Sequence, residues 1–157
     1  MIKLLLVIVI AVVYTAYNFS GINQVASAKQ SLVSDVAERA TSAAVSAGEQ
    51  AISEAFQSRN SNVLVEATGR VVKVLADDNQ GSRHQRFIVK LDNGITVLIA
   101  HNTDLASRID SLKAGDEVAF KGEYEWNAKG GLVHWTHHDP QGQHVAGWLR
   151  HNGKTYQ

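Results

Sequence analysis

Hydrophobic and polar positions change their period twice along this chain. Ile2 to Tyr17 is almost wholly apolar, interrupted only by Lys3 and Thr15. It is apolar on every face, which suits a bilayer better than one stripe of a soluble core. From Asn23 to Gln57 the apolar residues thin out to Val25, Leu32, Val36, Ala40, Ala43, Ala47 and Ala51, at spacings of three, four and seven. That is a helical period with a narrow, alanine-rich stripe. From Val63 the period is two. Gln85, Phe87, Val89 and Leu91 alternate with His84, Arg86, Ile88 and Lys90. Val118, Phe120, Gly122, Tyr124 and Trp126 alternate with Glu117, Lys121, Glu123 and Glu125. Such alternation marks half-buried strands.

These segments predict an order of elements. Val63 to Leu75 is a first strand, with Gly69 as a bend or bulge. Asp92-Asn93-Gly94 turns the second strand into the third, Ile95 to Ala100. Leu105, Ile109 and Leu112 form a helical stripe capped by Thr103 or Asp104 and ended by Gly115, which predicts a short helix from Asp104 to Lys113. Asp116 to Trp126 is the fourth strand, and a His-rich fifth follows Asn127-Ala128-Lys129-Gly130. Three strands, a helix and two strands is the order of a small five-stranded OB-like barrel. An SH3-like or other small barrel is the alternative. Polar Ser58 to Asn62 marks the domain boundary, giving residues 1–22 as signal-anchor or signal peptide, 23–60 as helical stalk and 61–157 as barrel with a C-terminal tail.

Composition narrows the classes. Fifteen basic and fifteen acidic side chains leave no net charge, which argues against a strong electrostatic grip on nucleic acid or anionic lipid. With no cysteine, disulfides and thiolate metal sites are excluded. Lys3 ahead of the apolar run keeps the N-terminus inside, so either reading of that run exports the rest. As an anchor it tethers the chain to the inner membrane through residues 2–22, with the domain facing the periplasm or exterior. As a signal it is cleaved near Ala28, where Ala26-Ser27-Ala28 has small residues at the right spacing. The alanine seam of the stalk offers self-association.

The densest chemistry is His134-Trp135-Thr136-His137-His138-Asp139. Together with RHQRFIV (Arg83 to Val89), LIAHN (Leu98 to Asn102), GEYEWN (Gly122 to Asn127) and GWLRHNGKTYQ (Gly147 to Gln157), it resembles a family of small exported bacterial proteins known as a domain of unknown function. The resemblance covers roughly Ala51 to Gln157. It implies an envelope-type N-terminus and no particular reaction.

Barrel topology adds a site. In an OB-like barrel Asp77 and Asp78, His84, His101, Asp104, His137, His138 and Asp139 collect at one end. His101, His137 and Asp139 are the candidate ligands there for a divalent metal, since His137 and Asp139 share a strand face at i, i+2. If the hairpin is regular, His134 lies opposite Glu123 as a cross-strand pair on the outer face, and Trp135 covers Gly122. His144 and His151 fall in the tail and carry no role in this reading. Two functions survive. One is a binding module for an oligosaccharide, oligonucleotide, peptide or protein, with Arg86 and Lys90 on the binding face. The other is a metal-dependent hydrolase such as a phosphodiesterase or nuclease. No Ser-His-Asp elbow, phosphate loop or dinucleotide glycine pattern is present.

Overall fold

A computed structural model describes the backbone of residues 2–157 and the side chains of residues 27–157, apart from those of Ala28 and Ala44. The chain divides into two compact units, Met1–Ser42 and Ala43–Gln157. A single helix, α1 (Ile2–Ser58), supplies the first unit and opens the second. In the first unit Leu32, Val33 and Val36 are exposed. The expected membrane or signal segment 1–22 and the cleavage position near Ala28 lie outside the residues whose side chains are described. Among the described residues no helix is long and apolar enough to cross a membrane.

The second unit is mainly β. Its strands are β1 (Val63–Val74), β2 (His84–Lys90), β3 (Thr96–Asn102), β4 (Glu117–Glu125), β5 (Leu132–His134), β6 (Trp148–His151) and β7 (Lys154–Tyr156). The order β1-β2-β3-β5-β4, with β1 also paired to β4, closes a five-stranded ring. β3 and β5 run parallel, and the other neighbours antiparallel. A closed barrel of five strands is what the strand order predicts. β1 closes it by serving two partners. Residues Val63 to Arg70 pair with β4, and Arg70 to Val74 with β2 past an irregularity between Val71 and Lys73. Such a bulge adds the local bend a closing strand needs. The segment expected as a tail forms β6 and β7 on the free part of β4.

Alternation sets the core. Phe87, Val89, Val97, Ile99, Val118, Phe120, Tyr124, Val133 and Leu149 point inward and are fully buried. Each such apolar side chain stabilises by about 1.5–3 kcal/mol relative to exposure. The end of α1 joins them. Ile52 is fully buried and Ala55 nearly so. Gly48 lets the helix lie against β1, because a Cβ there would meet the Glu66 carbonyl oxygen at 1.6 Å. Glu49 accepts the Asp92 backbone N–H, and the Trp126 indole donates to the Phe56 carbonyl. The end of α1 therefore seals the barrel where the β2–β3 turn and the end of β4 meet, and the compact unit begins at Ala43.

The helix expected from Asp104 to Lys113 is absent. Isolated turns replace it, with Ala106 N–H bonded to the Asn102 carbonyl and Leu112 N–H to that of Ile109. The reason lies in β2. The Gln85 side chain accepts the Ile109 N–H and donates to the Ile109 carbonyl, both at 2.9 Å. A helix would have claimed those two backbone groups. Ile109 still plugs this end of the barrel, fully buried, with Leu112 beside it, while Leu105 is exposed.

Candidate functional site

The His-rich segment is a strand only as far as His134. Trp135 has φ 51°, in the left-handed region, and breaks the alternation. Thr136 and His137 are then both buried, while the indole swings outward and stacks on His144, ring centroids 3.8 Å apart and planes within 15°. The expected position of Trp135 over Gly122 is replaced by a backbone contact. A Cβ on Gly122 would meet the His134 carbonyl oxygen at 2.3 Å, so glycine is what lets β4 and β5 approach here.

The barrel end reached by the predicted site residues is a set of internal hydrogen bonds. His101 is fully buried between Thr136 Oγ1 at 2.8 Å and the Ser107 carbonyl at 3.2 Å. Because that carbonyl only accepts, Nε2 carries the proton and Nδ1 accepts from the threonine hydroxyl. Burial pushes the His101 pKa down to about 4, with the nearby His137 and His84 adding to the effect. His137 Nδ1 donates to the His138 carbonyl, and His138 itself is exposed. Asp139 accepts three backbone N–H groups, from Gln141, Gln143 and His144. The Gln141 and His144 amides hold its carboxyl below the usual range. Asp104 pairs with Arg83, Asp77 with Arg108, Asp78 with Arg86, and His84 Nδ1 donates to the Ser82 carbonyl. Strand ends bring His101 to Thr136, Arg83 to Asp104 and Asp77 to Arg108. His101 and Asp139 have their polar atoms engaged by neighbours, and the three proposed metal ligands do not form a group of converging ligand atoms.

A different group converges on the outer wall. Glu123 pairs with His134 across β4 and β5, as the hairpin predicts, and Glu125 stands two residues along the same face. Ligand atoms of Glu123, Glu125 and His134 lie within 4.8 Å of one another, and this is the one such group among the described residues. His134 Nε2 is 3.8 Å from Glu123 Oε1 and 3.9 Å from Glu125 Oε1, too far for a hydrogen bond. That nitrogen is buried and has no partner. Burial lowers the His134 pKa, outweighing the pull of Glu123 and Glu125. His144 Nδ1 stands 3.8 Å from Glu123 Oε2. Asp139 and Trp135 position His144, one through its backbone N–H and the other by stacking. Sequence reasoning found the Glu123–His134 pair and missed Glu125 and His144. The i, i+2 carboxylates were a visible signal for the first. Nothing local announced the second.

Beside this group runs a groove of about 530 Å³, lined by Leu75, Ile88, Thr96, Leu98, Asn127, Ala128, Lys129 and Gly131. It lies on the outer face of β2 and β3, between the β1–β2 and β4–β5 loops. The registers Ile88–Leu98, Leu98–Leu132 and Leu132–Glu125 lead in one row from the groove to the carboxylates. Of the binding-face candidates, Arg86 is held by the Ala76 carbonyl and Asp78, and Lys90 is exposed at the end of β2.

Residues 34–157 match the model of the family described as "Protein of unknown function (DUF3465)". The chain belongs to this family. None of the curated proteins matches it. The family match begins inside α1 and runs through β7, so it takes in Gly48 and Ile52 of the helix end, the groove and the Glu–His group alike. The DUF3465 unit is thus more than the barrel strands. It includes the helical turns that seal one end.

Proposed function

We propose that this DUF3465 protein is a cell-envelope binding module whose barrel takes a peptide segment of a partner protein in the groove on β2 and β3. The groove carries this reading. Its volume falls within the roughly 300–1,000 Å³ usual for ligand sites, which are mostly apolar with a few placed polar groups. It occupies the face and loops through which OB barrels take extended ligands. Leu75, Ile88 and Leu98 offer an aliphatic floor, with Thr96, Asn127 and Lys129 at its rim. No aromatic side chain lines it, and stacking on aromatics is how single-stranded nucleic acids are commonly held. An aliphatic anchor flanked by an acidic group, facing Lys129, fits this lining better than a base or a sugar ring.

Selection of displayed peptides on the full chain tests the reading. Aliphatic–acidic peptides are expected to emerge, to shift the amide resonances of Ile88, Leu98 and Lys129, and to lose binding to the outward-facing variant Leu98→Asp. Selected peptides that bind Leu98→Asp as well as wild type would sink it. So would oligosaccharides or oligonucleotides that shift those resonances where peptides do not. The envelope placement rests on the apolar run after Lys3. A phosphatase reporter fused after Gln57 should be active outside the membrane, and an active cytoplasmic reporter at the same position would overturn the placement.

A further inference from the structure

We infer that Glu123, Glu125 and His134 form a site for one divalent cation of the zinc class on the outer wall of the barrel, with His144 beside it. His134 Nε2 is buried and bonded to nothing, 3.8 Å from Glu123 and 3.9 Å from Glu125. Among the described residues no lysine or arginine pairs with Glu123 or Glu125, whose only charged-group neighbours are His134 and His144. Two carboxylates are thus gathered beside two imidazoles with no cation to balance them. Asn62, with its amide nitrogen turned inward, donates to Glu125 Oε1 at 3.0 Å and Glu123 Oε1 at 3.3 Å. That bridge steadies the carboxylates but carries no charge, and it leaves His134 Nε2 without a partner.

Distances favour a metal over a hydrogen bond. Two ligands of a tetrahedral zinc, with bonds of about 2.0–2.1 Å, stand about 3.3 Å apart. The separations of 3.8 and 3.9 Å from His134 Nε2 to the two carboxylates are about half an ångström longer, and a small rotation of the half-buried Glu side chains closes that gap. His144 Nδ1, 3.8 Å from the other oxygen of Glu123, stands beside this group rather than in it. An imidazole nitrogen between two carboxylates is a nitrogen–oxygen set that suits zinc better than calcium or magnesium, which take oxygen ligands. The framework is prepared at both ends. β4 and β5 fix Glu123 opposite His134, while Asp139 and the Trp135 indole bring in His144. A zinc ion that also drew in His144 would tie the loop after Pro140 to the sheet.

The test uses the untagged full chain, stripped with EDTA and dialysed against zinc chloride, with manganese, calcium and magnesium chlorides in parallel. About one zinc per chain is expected by elemental analysis, with a higher melting temperature and slower proteolysis between Pro140 and Gly147. Calcium and magnesium should do neither. Glu123→Gln, Glu125→Gln and His134→Gln should each weaken zinc by more than about tenfold, since even partners outside the ligand set are worth 10–100-fold. The exposed His138→Ala should leave zinc binding unchanged. Circular dichroism in EDTA identifies any variant that fails to fold, and the remaining near-isosteric variants then decide. Zinc well below one per chain in wild type overturns the site, as does zinc retained at full affinity by the folded ligand variants. Leu98→Asp should keep its zinc, so failure of the groove reading and failure of the metal site remain separable.

Discussion

The two sets of histidines in this protein differ in what surrounds them. At the barrel end His101 has both ring nitrogens engaged, by a threonine hydroxyl and a backbone carbonyl, and His151 donates to Asp116 at 2.9 Å. On the outer wall His134 Nε2 is buried yet bonded to nothing, and His144 faces Glu123 across 3.8 Å. Buried polar groups normally find partners. The inner set obeys that rule and contributes to the fold. The outer set breaks it, and sites that break it are where a ligand is expected. The density of histidines along the chain says nothing about which ring nitrogens remain free.

Mutations should separate the two regions sharply. The largest effect belongs to the plugged end. Ile109→Asp places an unpaired charge where Ile109 is fully buried, and the domain should be unfolded at 25 °C by circular dichroism. A cooperative melt near that of wild type would show that this end is not sealed. Next comes the Gln85 clamp. Gln85→Met keeps the volume but strands the Ile109 N–H and leaves the carbonyl only the Leu112 N–H at 3.4 Å, and should cost roughly 1–3 kcal/mol in denaturant unfolding. Ile109→Leu, which keeps both hydrogen bonds, should cost less than about 1.5 kcal/mol.

Acid should probe the same end. His101 has a folded pKa near 4 against an ordinary value of 6.5. Between those values the unfolded chain binds the extra proton, so stability rises with pH across that window. The contribution is fully present above pH 6.5 and is lost as the pH falls toward 4. At about 1.36 kcal/mol per unit it is worth roughly 3 kcal/mol. Unfolding curves of wild type and His101→Gln from pH 4 to 7 should converge at the acid end. Parallel curves would remove His101 from the buried network. The smallest effect is expected on the outer wall. In EDTA, Glu125→Gln and His134→Gln should each change stability by no more than about 0.5 kcal/mol. A loss of 2 kcal/mol there without metal would make the outer histidine as structural as the inner one and erase the contrast.

The strands of the barrel were legible because the pleat alone imposes period two, and the buried and outward positions of β2 and β4 follow it residue by residue. The Glu123–His134 pairing was legible for a related reason, since a short hairpin loop fixes its own register. Three features were not. The 104–113 segment has helical spacing, yet the amide of Gln85, some twenty residues earlier, takes the backbone groups a helix needs. The turns around Gly48 and Ile52 read as stalk, because a thin stripe gains its partner only when β1 is already in place. His144 read as tail, because its position is set by the Asp139 carboxylate and the Trp135 ring, and that ring points outward only once the backbone turns left-handed at Trp135. Periodicity and turn chemistry act between neighbours along the chain, so sequence alone determined the strands and their faces. Which polar atoms are satisfied depends on groups that meet only after the barrel closes, so the tertiary structure decided where the site lies.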